Sequence, residues 1–240
     1  GAYLLGDRKD KSMTFLLHKY SQLDPELMVA KQKIQYQARD GLNIEGYLTT
    51  PLGFQQGEAA GSLPTIIFPH GGPISFDDDG FDYWTQFFAN RGYAVLQMNF
   101  RGSYGYGFDF MQMGLQGWGA QMQDDVEDGT RWLISKGIAD AKRICIVGAS
   151  YGGYAALVAS FRDSASFQCF VSISGISDLT AMLRSDGAYS DARKAVQRTT
   201  VGDYDKDAKA LDAVSARYHI DAIKKPLLLI HGVKDTRVPY

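Results

Sequence analysis

One serine in this chain stands in a setting that fits a nucleophile. Gly148-Ala149-Ser150-Tyr151-Gly152 follows directly on the apolar run Ile144-Cys145-Ile146-Val147. A short apolar run that stops at glycine reads as a buried parallel strand. Gly-x-Ser-x-Gly after such a strand is the spacing of a strained strand-to-helix turn that lifts one hydroxyl above the sheet. Both glycines are needed because a Cβ at either position would strike the neighbouring strand or helix. The chemistry this implies is acyl transfer, and it asks for two further parts: a pair of N–H donors for the oxyanion and an acid that orients a base.

Both parts occur at other strand ends. Thr65-Ile66-Ile67-Phe68 runs into His70-Gly71-Gly72-Pro73, a turn whose bare backbone lets a carbonyl approach closely. Gly72 is expected to donate one oxyanion N–H and Tyr151, the residue after the serine, the other. Leu227-Leu228-Leu229-Ile230 runs into His231-Gly232-Val233-Lys234-Asp235, and Asp235 is the expected acid, since Ser precedes Asp in this chain order. Asp178, after the strand expected within residues 167–176, is the rival acid. Either aspartate could instead serve only as a turn or helix cap.

The elements that must position these residues alternate. Residues 2–20 read as a hairpin, Asp24-Pro25-Glu26 as the start of a short helix, and residues 33–50 as a second hairpin turning at Asp40-Gly41. Residues 53–62 read as a loop. Strands follow at 65–68, 93–100, 143–147, 167–176 and 227–230, with helices at 81–90, 120–135 and 154–161 and a mostly helical excursion to about residue 225. This is a doubly wound, mostly parallel sheet, whose ligands belong at the carboxyl edge of the strands.

At 240 residues the chain suffices for one well-buried α/β domain, and its formal charge of −2 leaves no electrostatic footprint for nucleic acid or an anionic membrane. No run is long and apolar enough to cross a bilayer. No Cys, His or carboxylate cluster has metal-ligand spacing, and no cofactor is implied. The glycine loop 102–107 has the wrong spacing for a phosphate loop and is expected to pack beside the serine turn. Asp77-Asp78-Asp79 reads as a solvated acidic loop, and Asp124-Asp125-x-Glu127-Asp128 as acids favoured near a helix start. Cys145 and Cys169, both in apolar runs, are read as buried reduced thiols, in keeping with a reducing, cytoplasmic compartment.

Taken together, His70-Gly71-Gly72-Pro73, the stretch Asn99-Phe100-Arg101-Gly102-Ser103-Tyr104-Gly105-Tyr106-Gly107, Gly148-Ala149-Ser150-Tyr151-Gly152-Gly153-Tyr154 and His231-Gly232-x-x-Asp235-x-x-Val238-Pro239 resemble the prolyl oligopeptidase family of serine peptidases, in its acylaminoacyl peptidase branch. The resemblance spans nearly the whole chain in order. It implies an α/β-hydrolase domain over residues 31–240, with residues 1–30 as the remnant of a preceding β-propeller plus linker. It implies Ser150 and Asp235 as triad members, Gly72 and Tyr151 as oxyanion donors, and Arg237 as the arginine that holds a substrate carbonyl. Short peptides or acyl-peptides would be the substrates. Ile176, Leu179 and Met182 are read as core, with an apolar specificity pocket as the alternative.

The resemblance also places the triad histidine, with the last strand and helix of the fold, beyond Asp235 in a stretch absent from this sequence. The four histidines present are poor substitutes. His219 enters at the amino end of the last strand, roughly 15 Å from the carboxyl edge. His70 is expected to brace the oxyanion turn, His18 lies on the first hairpin, and His231 occupies the strand end that presents the acid. The chain alone is therefore expected to have negligible peptidase activity, and Leu227-Leu228-Leu229-Ile230 to form an apolar sheet edge that pairs with a second copy or a companion chain. An esterase on the same scaffold and a peptide-binding module without a base are the competing functional readings.

Overall fold

The computed structural model describes residues 1–55, 62–187 and 190–240; the loop expected over residues 53–62 falls largely outside them. Two sheets are formed. Strands β1 (Ala2–Asp7) and β2 (Ser12–His18) pair only with each other, and every residue in them is exposed. The seven-stranded sheet takes β3 (Gln32–Gln37), β4 (Asn43–Thr49), β5 (Leu63–Ile67), β6 (Ala94–Asn99), β7 (Ala139–Ala149), β8 (Cys169–Ile173) and β9 (Leu227–Ile230) in the spatial order β3-β4-β6-β5-β7-β8-β9. The β3/β4 and β4/β6 pairs are antiparallel, and β6, β5, β7, β8 and β9 run parallel. This is the doubly wound, mostly parallel sheet expected of an α/β-hydrolase domain, with the strands that carry Ser150 and Asp235 two positions apart.

The helices are α1 (Tyr83–Ala89), α2 (Phe108–Gln112), α3 (Gln121–Ser135), α4 (Tyr151–Arg162), α5 (Leu179–Gly187), α6 (Asp191–Thr200) and α7 (Ala208–Ala213). Asp82 starts α1 by accepting from the Thr85 N–H at 2.8 Å, and Asp24 caps the short 3-10 turn at Pro25–Leu27. Helix α4 sits at the centre, buried from Tyr151 to Ser160. Its Gly152 and Gly153 cost helix propensity, about 1 kcal/mol each. They are there because backbone must pass close by: a Cβ on Gly153 would lie 2.9 Å from the Gly175 Cα. The core of Leu96, Met98, Phe100, Met122, Leu133, Ile144, Ile146, Tyr154, Phe167 and Phe170 packs around this helix and the sheet.

Two expectations are corrected. Cys145 and Cys169 form a disulfide. They are direct partners on adjacent parallel strands with Cα atoms 4.8 Å apart, inside the range a disulfide spans. The cysteine argument for a reducing compartment therefore does not stand. The acidic stretch of α3 is structural, as expected, but for another reason: Asp125 is fully buried and held by Arg101, while Arg39 reaches Asp124, Glu127 and Asp128. Ion pairing, more than the helix dipole, fixes these acids. β9 is the edge strand, with Leu228, Leu229 and Ile230 about half exposed or more, as the edge reading expects.

Candidate active site

The turn at Ser150 is built by exclusion of side chains around it. Ser150 has φ 56° and ψ −120°, left-handed backbone that non-glycine residues adopt rarely. It is held there because β7 must enter α4 through this single residue. A Cβ on Gly148 would lie 2.3 Å from the Gly152 carbonyl carbon, and one on Gly152 only 2.1 Å from the Pro69 carbonyl oxygen. The serine itself is exposed. Tyr151, beside it, is buried between Phe100 and Trp118, so its ring fixes the start of α4. The Tyr151 amide belongs to the first turn of that helix, where N–H groups have no intrahelical acceptor.

The glycine turn lies against this elbow. A Cβ on Gly71 would be 3.5 Å from the Ser150 Cβ, and Gly72, at φ +131°, adopts backbone suited to glycine alone. His70 braces the turn as expected. Its Nδ1 is 2.8 Å from the Gly71 carbonyl oxygen, its Nε2 2.9 Å from the Ser103 hydroxyl, and its ring stacks on Phe100. Burial pushes the imidazole down to about 4, so it is neutral near pH 7. The Ser103 hydroxyl donates to the Phe100 carbonyl oxygen at 2.6 Å, so the neutral ring's single N–H serves one of its two contacts.

Asp77, beyond this turn, departs from the solvated-loop reading. Its Oδ1 accepts from Gln97 Nε2 at 2.8 Å and its N–H donates to Asn99 Oδ1 at 2.7 Å, pinning the loop to β6. Its Oδ2 and the neighbouring Gln97 Oε1 are buried without partners, and burial pushes the carboxyl up to about 7. Asp78 only turns back to the Gly80 N–H.

Asp235 arrives from the other side. The register pairs Ala149 with Ile173 and Ile173 with Ile230, so Ser150, Ser174 and His231 stand side by side one residue past the strand ends. The ladder continues through them, with Ser150 N–H on the Ile173 oxygen (2.9 Å) and Ser174 N–H on the Ile230 oxygen (2.7 Å). Asp235 Oδ1 accepts from the Arg237 and Val238 amides at 2.8 and 3.0 Å. These two amides hold it below the usual carboxylate range. Asp235 thus stands on the loop after β9, two strand positions from Ser150. Two strand spacings are roughly 10 Å, room for an imidazole hydrogen-bonded at both ends.

None of the histidines fills that space. His231 Nε2 is 2.8 Å from the Val238 carbonyl oxygen and 3.8 Å from Asp235 Oδ2. His219 stacks on Phe161 with Nε2 on the Ala213 carbonyl, far from the strand ends. His18 is exposed on β2. Asp178 is spent elsewhere, accepting from the Ala181 N–H of α5 and pairing with Arg217.

Ser150, Gly72 and Arg237 line one cavity of about 480 Å³, with Ile176 and Met182. Leu179 is buried in the core instead. The cavity also takes Met111, Leu115 and Trp118 from α2 and the segment after it, and Val196 and Val201 from α6 and its end. These residues were not singled out from the sequence. The Met- and aromatic-rich stretch 108–118, directly after the glycine loop, was the signal available.

With the geometry in place, the comparisons are specific. The prolyl oligopeptidase family profile matches residues 79–240. This chain belongs to the prolyl oligopeptidase family. Across 241 residues it is 35% identical to dipeptidyl aminopeptidase BIII of Pseudoxanthomonas mexicana, covering 98% of this chain and 35% of that protein. It is 33% identical over 223 residues to dipeptidyl peptidase family member 6 of Caenorhabditis elegans, covering 85% and 30%. Among solved structures, a puromycin-hydrolyzing peptidase of Mycobacterium tuberculosis superposes with a TM-score of 0.87 at 25% identity, over 99% of this chain and 36% of that one. An acylaminoacyl peptidase of Pyrococcus horikoshii gives 0.79 at 30%, over 96% and 36%. The chain spans about a third of the length of these prolyl oligopeptidase relatives. Among the described residues, no helix is long and apolar enough to cross a membrane.

Proposed function

We propose that this chain forms the catalytic domain of a serine peptidase that cleaves short peptides or acyl-peptides through an acyl-enzyme on Ser150. The observation that carries the reading is the shared cavity: an exposed serine on a left-handed elbow, beside Gly72 and Arg237, with Asp235 on the loop that follows the next strand but one. Ser150 Oγ attacks the carbonyl carbon while its proton passes to an imidazole. The Tyr151 and Gly72 N–H groups receive the oxyanion, and Asp235 orients the imidazolium, which then protonates the leaving amine. Water releases the acyl group by the same route in reverse. Arg237 holds a carbonyl of the substrate with its fork of donors, and the apolar walls take the side chain next to the cut bond.

The imidazole is assigned to a histidine outside these 240 residues, because the four within them are engaged or misplaced. Residues 1–30 are assigned to a preceding β-rich domain and linker, in support of which the exposed Leu4, Leu5, Phe15 and Leu17 on β1 and β2 need a partner sheet. Residues 1–240 alone are expected to turn over substrate negligibly and to pair through β9, so light scattering of that fragment should show more than a monomer.

The test is hydrolysis of an acyl-peptide p-nitroanilide by the full-length protein. Ser150→Ala should lower kcat by about 10⁴-fold or more. A preference for simple esters over the anilide would favour the esterase reading. Peptide binding by calorimetry without any Ser150-dependent turnover would favour a binding module.

A further inference from the structure

Two buried acceptors beside the Gly72 turn are left over by the hydrogen bonds described so far. Asp77 stands five residues after Gly72, and Gln97 on β6 donates from Nε2 to Asp77 Oδ1 at 2.8 Å. The other oxygen of each group, Asp77 Oδ2 and Gln97 Oε1, is buried without a partner. Gln97 is only 1% exposed, so bulk water does not satisfy it. A carboxylic acid and a primary amide can meet along two edges, N–H to one carboxyl oxygen and O–H to the amide carbonyl. An ionised carboxylate supports the first of these contacts and turns the second into two acceptors. The orphaned atoms are the two that a single proton on Asp77 would join.

We propose that Asp77 and Gln97 form a proton-dependent latch that positions the Gly72 turn: the protonated acid donates from Oδ2 to Gln97 Oε1 and closes a two-point pair, and loss of that proton opens one of its two bonds. The latch reaches Gly72 because the segment between them is tightly folded. A Cβ on Gly72 would lie 2.9 Å from the Ile74 nitrogen and 3.1 Å from the Ser75 Cβ. The Ser75 N–H donates to the Pro73 oxygen at 2.8 Å, and the Ser75 oxygen accepts from the Tyr104 N–H at 2.9 Å. Asn99 holds the Asp77 backbone, accepting from its N–H at 2.7 Å and donating to its carbonyl at 3.0 Å. Among these ties, the one to Gln97 is the one that changes with a proton. The charged or titratable groups around the carboxyl are Lys31 before β3, Asp78 on the same loop and Asp82 at the start of α1. Lys31 Nζ donates to the Asp78 carbonyl oxygen at 2.9 Å. Behind Asn99 stand Tyr106, whose hydroxyl is 2.7 Å from Asn99 Nδ2, and then Glu45, Tyr47 and Lys33. Burial, against the pull of Lys31, raises the Asp77 carboxyl to about 7, so the latch is closed below that pH and open above it.

This inference rests on the reading of Gly72 as an oxyanion donor, and the experiment separates the two. In the full-length protein, Asp77→Asn supplies an oxygen and an N–H at every pH, which keeps the latch closed. Wild-type kcat should fall about tenfold from about pH 7 to about pH 9, a part of the loss expected for a missing oxyanion donor. Asp77→Asn should not show that fall. Gln97→Glu sets a second acid against Asp77, so the last proton leaves later and the fall should move to higher pH. Deuterium exchange of residues 73–77, corrected for its intrinsic pH dependence, reads the latch without turnover. Protection there should drop over the same pH range in the wild type and stay level in Asp77→Asn. An alkaline fall that persists in Asp77→Asn, a flat wild-type profile, or exchange that is equal in the two proteins at every pH would each overturn the proposal. Hydrolysis that survives Ser150→Ala, beside the expected difference in exchange, sinks the acyl-enzyme reading while the latch stands.

Discussion

The two halves of the site are held by different physics. Around Ser150 the geometry is enforced by volume: buried backbone passes so closely that glycine is the only residue that fits at Gly148 and Gly152. Around Asp235 it is enforced by hydrogen bonds on a half-exposed loop after an edge strand, where a Cβ on Gly232 would meet nothing within 4 Å. The elbow is over-determined by the core and stores its strain there. The acid loop can adapt in shape but depends on a few polar contacts. The Ser150 half should thus fail on a change of volume, and the Asp235 half on a change of hydrogen bonding or charge.

The sharpest break of this contrast is a methyl group. Gly152→Ala should destabilise by about 4 kcal/mol or more, enough to prevent folding, because the Pro69 carbonyl cannot move away. Gly232→Ala should change stability by no more than about 0.5 kcal/mol. Urea denaturation of the two variants reads the difference, and equal effects would dissolve the comparison.

The next effect is pH-dependent and lies on the Ser150 side. His70 binds its proton less readily folded, at about 4, than unfolded, near 6.5. The stability it contributes is complete above about pH 6.5 and is lost as pH falls toward 4, up to about 3 kcal/mol. His70→Gln, which does not titrate, should flatten the melting temperature over that window. Asp235, at the other half, has the same sign at lower pH: its lowered carboxyl contributes fully above the usual carboxylate range and loses that contribution only in stronger acid.

Asp77 gives an effect of reversed sign. Its raised carboxyl, at about 7, costs stability as pH climbs from about 4 through 7, since the buried charge lacks a partner on Oδ2. Asp77→Asn should raise the melting temperature at pH 8 and change it little at pH 4. The smallest stability effect belongs to the edge: Leu229→Lys, at a residue 63% exposed, should leave melting within experimental error while abolishing self-association of residues 1–240.

Much of this was legible from the sequence because the parallel strands are continuous apolar runs ending at glycine, proline or acid. Ser150, Gly72, Tyr151, Asp235 and Arg237 were each readable from local spacing or family motif, and the structure brings Ser150, Gly72 and Arg237 to one cavity. What was not legible depends on register. That Cys145 meets Cys169 follows only from knowing that β7 and β8 are adjacent and in step. Asp77 sits in a run of three aspartates, and nothing local distinguishes the one that turns inward to Gln97. Trp118 and Met111 reach the cavity because the loop after β6 folds back over the elbow, a path that periodicity does not encode.

The central claim, that Ser150 is activated through Asp235 across β8, is tested most directly by mapping a fluorophosphonate adduct on the full-length protein and timing its formation. The adduct should sit on Ser150 and should form about 10³-fold or more slowly in Asp235→Asn, whose acid no longer orients the base. An adduct on another residue, or labelling of Asp235→Asn at the wild-type rate, would contradict the account.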